Sequence, residues 1–397
     1  MKVMILNTWY YPNMMGGAEH SVKILAENLI KKSIEVSVVT VDSPKEQTIH
    51  EVINGVNVYR LNSKKYKLFE AYQKKYSGLA LYKNKFYELF NSSIKSNFTN
   101  ILDTVKPDLV HVNCFSGLSF KAIRYVHSHN IPIIYTLRNY FMLNPTNKAL
   151  PSFLTKIYIK IVKKYASYAS AVTAPSLFTL KKHFDNGLFT NKIVKKCIPN
   201  CIDIPYNETL EEINIHKNRN NRITNFIYVG WISEDKGIRH LLKAFNKLHT
   251  DDTLTLCGDG DLREVVKEAE KRNKNIHFLG KLNTNDLYEQ YKKADVSIVP
   301  SIWDEPFGRV VIEANAFGLP VIASNKGGIP EIIKEIDGGV TYQAGNVNEL
   351  VSNMKKLSIN KNRLFYLENI KNNILKYSAT NQADQFISLY KNLKVNK

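Results

Sequence analysis

Residues 299–331 read VPSIWDEPFGRVVIEANAFGLPVIASNKGGIPE, and the elements that they predict decide the fold. The segment that leads into this stretch, ADVSIVPS, is a short apolar run rich in β-branched residues, as is typical of a buried strand. A turn follows at residues 304–306, and apolar residues at spacings of three and four after Gly308 indicate a helix. A strand, a tight turn and a helix in this order predict an α/β fold with a parallel sheet.

The turn between this strand and helix combines backbone donors with two carboxylates. A helix start leaves N–H groups unpaired, and its positive end favours anions. The donors predicted here are the N–H groups of Phe307, Gly308, Arg309 and Val310. Glu305 lies at the mouth of the turn and Glu313 about two helical turns further on, and a carboxylate can accept hydrogen bonds from two adjacent hydroxyls. Phosphate and sugar hydroxyls bound in one place predict a sugar nucleotide as the ligand.

The same stretch resembles the signature of the retaining family-four glycosyltransferases. The shared features are the two glutamates, the E-P-F-G turn at 305–308, G-x-P-V-I-A at 318–323 and G-G-x-x-E at 327–331. The resemblance implies an α/β protein in the GT-B arrangement, with two Rossmann-like domains facing a central cleft. It implies transfer of a sugar from a nucleotide-diphosphate donor to an acceptor hydroxyl, with retention of the anomeric configuration. Without these motifs, two glutamates at this spacing would be ordinary surface residues.

The length of 397 residues predicts two domains. A strand–helix–strand pattern opens the chain and restarts at NFIYVG, after a polar stretch with linker composition. We therefore predict a Rossmann-like acceptor-side domain over 1–203, a linker over 204–225 and a sugar-nucleotide-binding Rossmann-like domain over 226–375. The resemblance implies that 376–397 form a final helix that crosses back to the first domain.

The resemblance also assigns roles in the second domain. Lys236 matches the family's diphosphate-binding lysine, and a lysine is a compact charge suited to phosphate. The family's neighbouring arginine is replaced here by Trp231, and Arg309 and Arg138 are candidate substitutes for the missing cation. By resemblance, Glu305 would orient the donor sugar and Glu313 would bind the ribose hydroxyls.

In the first domain, candidate residues follow the predicted strands, where open α/β sheets bind ligands. Gly16 and Gly17 occupy the first turn, where glycines let the backbone approach a ligand and leave the next helix start free for phosphate. His111 ends one strand, and a structural, hydrogen-bonded histidine is an equally open interpretation of it. Arg138 stands where the family often has a histidine against the donor sugar. Arginine is no base at neutral pH but can hold phosphate or carboxylate, which points to a negatively charged sugar or acceptor.

These assignments give the predicted site. Stabilising the departing diphosphate is the difficult part of the implied reaction, so cations and preorganised donors are expected. In this family the leaving phosphate is usually thought to take the acceptor proton, so no general base is required. The predicted catalytic residues are Lys236, Glu305, Arg138 and His111. The predicted substrate-binding residues are Gly16, Gly17, Lys236, Glu305, Phe307, Gly308, Arg309, Val310 and Glu313.

No metal or cofactor is predicted beyond the donor itself. Asp259-Gly260-Asp261 resembles the D-x-D of metal-dependent glycosyltransferases, but the family has a structural Gly-Asp-Gly turn at this place. Cys197 and Cys201 lack the second pair that a zinc site needs. Two alternatives to the transferase stay open. One is a catalytically silent homologue that acts as a binding subunit, which would explain Trp231 and Arg138. The other is a sugar-nucleotide 2-epimerase, which needs acid–base residues that the sequence does not offer convincingly.

The net charge of +19 is concentrated in the first half of the chain, since residues 1–200 carry 28 Lys+Arg and 11 Asp+Glu and the rest carries +2. Such an excess suits an anionic substrate, an anionic membrane or nucleic acid, and the absence of zinc-finger spacings and RNA-binding motifs argues against nucleic acid. Lysines alternate with aromatic residues over 61–100. A second basic helix carries Lys156, Lys160, Lys163 and Lys164. Both stretches fit either a surface that lies on anionic lipid or ordinary helices packed by their tyrosines.

The start of the chain, MKVMILNTWYYP, lacks the features of a signal peptide, and no stretch approaches the ~20 apolar residues of a membrane span. We therefore expect a cytoplasmic protein, with peripheral binding to the inner face of the cell membrane as an extension of this hypothesis. The expected partners are a nucleotide-sugar donor and a glycan or lipid-linked acceptor.

Overall fold

The computed structural model describes residues 1–14, 16–42, 47–62, 94–114, 117–144, 152–190, 192–219, 223–248 and 251–395. Most of the lysine- and aromatic-rich stretch predicted over 61–100 lies outside these residues. The chain divides into two compact units, and unit 1 comprises Met1–Pro199 and Ala379–Lys397. Unit 2 comprises Asn200–Ser378.

Unit 1 is built on an eight-stranded sheet in the order β3-β4-β2-β1-β5-β6-β7-β8. Its strands are β1 (Lys2–Leu6), β2 (Glu35–Thr40), β3 (Ile49–Ile53), β4 (Val56–Arg60), β5 (Leu109–Val112), β6 (Ile133–Thr136), β7 (Ala171–Ala174) and β8 (Val194–Cys197). Neighbouring strands run parallel, apart from the antiparallel pair β3 and β4. The central strands are apolar runs without polar alternation, as expected where helices cover both faces of a parallel sheet.

The helices of unit 1 connect these strands. They are α1 (Gly17–Lys31), α2 (Lys95–Val105), α3 (Ser119–Ser128), α4 (Ser152–Ala166), α5 (Leu177–Asp185) and, at the end of the chain, α14 (Ala379–Val395). Helix α14 packs on α1 and buries Phe386, Leu389 and Tyr390 in the core formed with β1 and β2. Two ion pairs, Lys32–Asp384 and Lys394–Asp108, fasten its exposed side to the rest of the unit.

Unit 2 has a six-stranded parallel sheet in the order β11-β10-β9-β12-β13-β14. Its strands are β9 (Asn225–Val229), β10 (Thr253–Cys257), β11 (Ile276–Gly280), β12 (Val296–Val299), β13 (Val321–Ser324) and β14 (Gly339–Tyr342). Counted from β9, this is the 3-2-1-4-5-6 order of the Rossmann fold. The order reverses between β9 and β12, and ligands of such sheets bind outside the carboxyl ends of the strands at that point.

The helices of unit 2 cover this sheet, and residues within the predicted linker belong to them. The helices are α6 (Tyr206–Asn218), α7 (Ile238–Asn246), α8 (Arg263–Arg272), α9 (Thr284–Lys293), α10 (Arg309–Ala316), α11 (Ile329–Ile336), α12 (Val347–Ser358) and α13 (Asn360–Asn373). Helix α6 lies in the stretch 204–225 that its polar composition assigns to a linker. It packs on α13, and Thr209, Glu212, Ile213 and His216 form one buried side of a largely polar helix.

The α/β class predicted from the sequence is confirmed, since each unit is built on a largely parallel sheet covered by helices. In the part of the chain that the structure describes, no helix combines the length and apolar character that crossing a membrane requires.

Candidate functional site

The loops after β9 and β12 meet at the point where the strand order of unit 2 reverses. The first loop carries Lys236 and the second carries Glu305. The backbone N–H groups of Ile302 and Trp303 both donate to the carbonyl of Asp235, at 2.9 and 3.1 Å. The two loops are therefore joined through their backbones, next to the side chains that the sequence singles out.

Lys236 and Glu305 are in direct contact. The Lys236 Nζ atom donates a hydrogen bond to Glu305 Oε1, and the Ser301 hydroxyl donates to the same oxygen at 3.1 Å. The two side chains are 25% and 17% exposed, so the ion pair is partly shielded from water while its atoms stay accessible. Partial burial strengthens a charge interaction over that of a surface pair. The sequence missed Ser301, although its position two residues after β12 is a signal that could have identified it.

Two glycines allow neighbouring loops to approach the segment that follows β12. Gly237 has a φ of +74°, and a Cβ atom there would lie 2.0 Å from the carbonyl oxygen of Pro300. Gly327 has a φ of +61°, and its Cβ would lie 2.0 Å from the carbonyl oxygen of Glu305. The next residue, Gly328, donates its N–H to that same oxygen at 2.8 Å. The G-G pair of the quoted stretch thus holds the backbone of Glu305 in place.

Helix α10 begins beside this contact. Gly308 precedes it with a φ of +104° and provides no side-chain cap, so the helix start keeps backbone donors available. Arg309 is the first residue of the helix, and its Nε donates to Oε1 of Glu313, one turn further on, at 2.6 Å. Arg309 Nη1 is buried and has no hydrogen-bond partner among the described residues. Glu313 is therefore paired with a cation of its own helix. In the preceding turn, the side chain of Phe307 is buried.

Other residues noted in the sequence of unit 2 have local roles. Trp231 is 57% exposed, and its carbonyl accepts a hydrogen bond from the Tyr228 hydroxyl at 2.7 Å. Burial raises the pKa of Tyr228 well above its usual range, and the negative charge of Glu305 adds to this effect. Asp259 accepts hydrogen bonds from the N–H of Gly260 and from Arg263, which stabilises the turn that resembles D-x-D.

In unit 1, Gly16 and Gly17 lie at the start of α1. The Gly16 N–H donates to Glu19 Oε2 at 2.9 Å, so a carboxylate of the same helix occupies part of the predicted phosphate position. Burial raises the pKa of Glu19, against the lowering effect of its backbone hydrogen bonds and of the charge of Arg138. A glutamate three residues after a helix cap is the signal that could have predicted this contact.

His111 lies in the core of unit 1. Its Nδ1 atom is hydrogen-bonded to the Tyr390 hydroxyl at 2.7 Å and its Nε2 atom to Thr136 Oγ1 at 2.6 Å. Thr136 Oγ1 in turn bonds Thr173 Oγ1 at 2.6 Å. Burial, with a smaller contribution from Arg138, lowers the pKa of His111 to about 3. Full burial with both ring nitrogens bonded favours the structural interpretation of this histidine over the catalytic one.

Arg138 lies at the carboxyl end of β6 and is 8% exposed. Its Nε atom donates to Asn113 Oδ1 at 2.6 Å, and Asn113 follows β5. The sequence missed Asn113, although its place at the end of the apolar run PDLVHVN could have suggested it. In unit 2 the structure thus pairs Lys236 with Glu305 and Arg309 with Glu313. In unit 1 the charge of Arg138 acts on Glu19.

Two family models match the chain. The model described as "Glycosyltransferase Family 4" matches residues 15–205, and the one described as "Glycosyl transferases group 1" matches residues 211–377. Together the two matches span most of the chain.

Curated proteins and solved structures give similar results. An uncharacterized glycosyltransferase of Methanocaldococcus jannaschii is 28% identical over 98% of this chain and 98% of that protein. An uncharacterized 42.6 kDa protein in the cps region of Klebsiella pneumoniae is 28% identical over 84% of this chain and 87% of that protein. The structure of Anabaena HepE in complex with UDP and glucose has a TM-score of 0.66 at 18% identity, covering 99% of this chain and 100% of the other. The chain therefore belongs to the group 1 and family 4 glycosyltransferases and has their GT-B class of fold.

Proposed function

We propose that this glycosyltransferase binds a nucleotide-diphosphate sugar in unit 2 and transfers the sugar, with retention of configuration, to an acceptor hydroxyl. The observation that carries the proposal is the contact of Lys236 with Glu305 at the switch point of the unit 2 sheet. A cation, a carboxylate and the start of α10 lie together there, which suits a ligand that combines phosphate with hydroxyl groups.

Each group has a distinct role in this proposal. Lys236 binds the diphosphate and stabilises the charge that develops on it as the sugar leaves. The N–H groups at the start of α10 support the same charge. Glu305 orients the donor sugar, and Glu313 exchanges part of its contact with Arg309 for the ribose hydroxyls. The chemistry then needs no metal ion, because side-chain and backbone donors balance the diphosphate charge.

Nucleotide binding is the first test. The full chain is screened by thermal shift with UDP, GDP, ADP and their common sugar conjugates in the presence of EDTA. A ligand at about 100 times its dissociation constant adds about 2.7 kcal/mol to stability. Glu313→Ala should weaken the shift, whereas Glu268→Ala, which removes an exposed glutamate in an ion pair of α8, should leave it unchanged. If no nucleotide shifts the wild type, the alternative of a catalytically silent homologue is favoured.

Retention and metal independence are tested on the product. The nucleotide identified in the screen is supplied as its sugar conjugate, and NMR assigns the anomeric configuration of the transferred sugar. We expect the configuration of the donor, at rates that do not depend on added Mg²⁺ or Mn²⁺. An inverted product, or activity lost in EDTA and restored by a divalent cation, would contradict this part of the proposal. Conversion of the donor sugar to its 2-epimer would instead identify an epimerase.

A role in bacterial surface polysaccharide synthesis is supported by the relative from a cps region. We propose a glycan or lipid-linked acceptor and a cytoplasmic enzyme that binds the inner face of the membrane peripherally. Residues 152–198 of unit 1 contain nine lysines and one acidic residue, Asp185. On α4, Phe153 and Ile157 are exposed beside Lys156 and Lys160, and apolar side chains among lysines suit an anionic lipid surface.

Flotation with vesicles tests the membrane proposal. The protein is mixed with phosphatidylcholine vesicles that contain or lack phosphatidylglycerol, at low and high salt. Binding should require the anionic lipid and fall with salt, because both are signatures of electrostatic attraction. A variant with glutamine at the four lysines of α4 should lose binding. The control replaces four exposed lysines of unit 2, namely Lys271, Lys274, Lys355 and Lys356. Equal loss in both variants would show a general charge effect and contradict a surface on α4.

A further inference from the structure

A small pocket opens in unit 1 at the carboxyl ends of β5 and β6. Its lining includes Asn113, Cys114, Arg138, Asn139, Phe141 and Met142. No acidic side chain lines it among the residues that the structure describes. The pocket therefore combines one guanidinium and amide groups with apolar walls, and it lies where open α/β sheets place their ligands.

The Arg138 guanidinium and the Asn113 amide are both buried and are joined by a hydrogen bond. Arg138 is 8% exposed and Asn113 is 6% exposed, so both polar side chains are at least nine-tenths buried. Arg138 Nε donates to Asn113 Oδ1 at 2.6 Å, and a guanidinium nitrogen cannot accept a hydrogen bond. The atom that meets Arg138 must therefore be the amide oxygen, which fixes the orientation of the Asn113 amide.

This orientation leaves a donor unused. Asn113 Nδ2 is buried and has no hydrogen-bond partner among the described residues. A buried donor without an acceptor costs free energy, so such a group in a native protein needs an explanation, and an absent ligand is one. A ligand atom that accepts from Asn113 Nδ2 beside the Arg138 charge would satisfy it.

The charge around the pocket favours a negative ligand. Among the described residues, the charge of Arg138 acts on Glu19, whose carboxylate accepts from the Gly16 N–H at the start of α1 and does not line the pocket. The lining itself presents a fixed positive charge and an unused donor.

We propose that the Arg138–Asn113 pocket binds an anionic oxygen group, a carboxylate or a phosphate, carried by a substrate of the sugar transfer. The identification of the ligand as a substrate rests on the proposed function, whereas the anion preference of the pocket does not. Carboxylate and phosphate share the chemistry that a guanidinium and an amide donor recognise. The group belongs to an acidic sugar or to a phosphorylated acceptor, and the two sources are separated by experiment.

The probes are glucuronate, glucose 6-phosphate and neutral glucose, together with UDP-glucuronate and UDP-glucose. Dissociation constants are measured by calorimetry on the full chain. Glucuronate and glucose 6-phosphate are each compared with glucose, and UDP-glucuronate is compared with UDP-glucose. We expect at least one acidic compound to bind the wild type about tenfold or more tightly than its neutral counterpart. An affinity difference of this size is the contribution of a charge-assisted hydrogen bond. Preference for glucose 6-phosphate would identify a phosphate, and preference for either glucuronyl compound a carboxylate. No preference for any acid would overturn the proposal.

Variants connect the preference to the pocket. Asn113→Asp keeps the acceptor for Arg138 Nε but replaces the unused donor with an anionic oxygen, so it should fold and lose the preference. Arg138→Gln should lose it too, and Arg138→Lys should restore part of it. Arg124→Gln removes an exposed arginine of the same unit and should have no effect. An unchanged preference in Asn113→Asp would refute the assignment.

The same samples distinguish this inference from the proposed function. Binding of UDP, GDP and ADP to wild type and Glu313→Ala is measured in parallel. Acid preference without nucleotide binding would support the pocket and contradict the proposed transferase donor site. Nucleotide binding without acid preference would contradict the pocket alone.

Discussion

Replacing Gly327 with alanine tests whether the G-G turn positions Glu305. At a φ of +61°, the new Cβ would lie 2.0 Å from the Glu305 carbonyl oxygen and 2.4 Å from its nitrogen. Since ordinary contact begins at 3.4 Å, one of the two backbones must move by about 1.4 Å, the difference between 3.4 and 2.0 Å. A displacement of about 1 Å at a reacting group can cost about 100-fold in rate, and we expect a loss of that order.

Gly280 provides a matched control. Its φ is +67°, and no atom lies within 4 Å of a Cβ placed there. Both alanine variants should lose about 1 kcal/mol of unfolding free energy, because an L-residue is strained in the left-handed region. Gly327→Ala should lose about 1–3 kcal/mol more from the forced displacement of its neighbour.

Urea unfolding measures the stability of each variant. The function of each variant is measured as the initial rate of sugar transfer and as the affinity for the nucleotide sugar. Gly280→Ala should retain wild-type rate and affinity, and Gly327→Ala should lose both while remaining folded. Equal rates in the two variants would refute the view that the close approach of Gly327 to Glu305 sets the geometry of the site.

Three further outcomes are expected. Lys236→Gln should weaken nucleoside diphosphate binding about tenfold or more in calorimetry, because it removes a charged donor, and retained affinity would contradict its role. His111 has a pKa of about 3 in the folded protein, below its unfolded value, so its contribution to stability is complete above pH 6.5 and is lost as the pH falls toward 3. Between pH 6 and pH 5, the wild type should therefore lose about 1.2 kcal/mol more unfolding free energy than His111→Gln, as measured by urea unfolding. Equal losses would contradict the assignment. Asn315→Ala should destabilise unit 2 by about 2–4 kcal/mol in urea unfolding, because the buried Asn315 amide donates to the carbonyls of Leu319 and Gly338. A loss below about 1 kcal/mol would show that water satisfies these two carbonyls in the variant.

Local patterns predicted most of unit 2. The apolar run before Pro300 and the glycines of the quoted stretch were sufficient to predict a strand, a turn and a helix at the switch point. Lys236 and Glu305 lie 69 residues apart in the chain, yet parallel strands bring their loops together, so the topology explains their contact. The Arg309–Glu313 pair was not predicted, although residues at positions i and i+4 are neighbours on a helix.

Long-range partners and short apolar faces account for what the sequence did not reveal. His111 is hydrogen-bonded to Tyr390, which is 279 residues away, and no local pattern distinguishes such a histidine from a catalytic one. Helix α6 resembles a linker in composition because its buried side is narrow. Its four buried residues, Thr209, Glu212, Ile213 and His216, include one apolar side chain, a weak signal within a polar segment.

The final helix has a consequence for how the protein is synthesised. Because α14 completes the core of unit 1, that unit is interrupted in the sequence by all of unit 2. Unit 2 begins and ends at neighbouring points, since the Ile202 N–H donates to the Tyr377 carbonyl at 2.9 Å. During synthesis on the ribosome, unit 2 can therefore fold while unit 1 still lacks α14, the helix that supplies Tyr390. A nascent chain that stops after Ser378 would carry a finished unit 2 and leave the groove beside α1 open for a chaperone or for α14 of another copy.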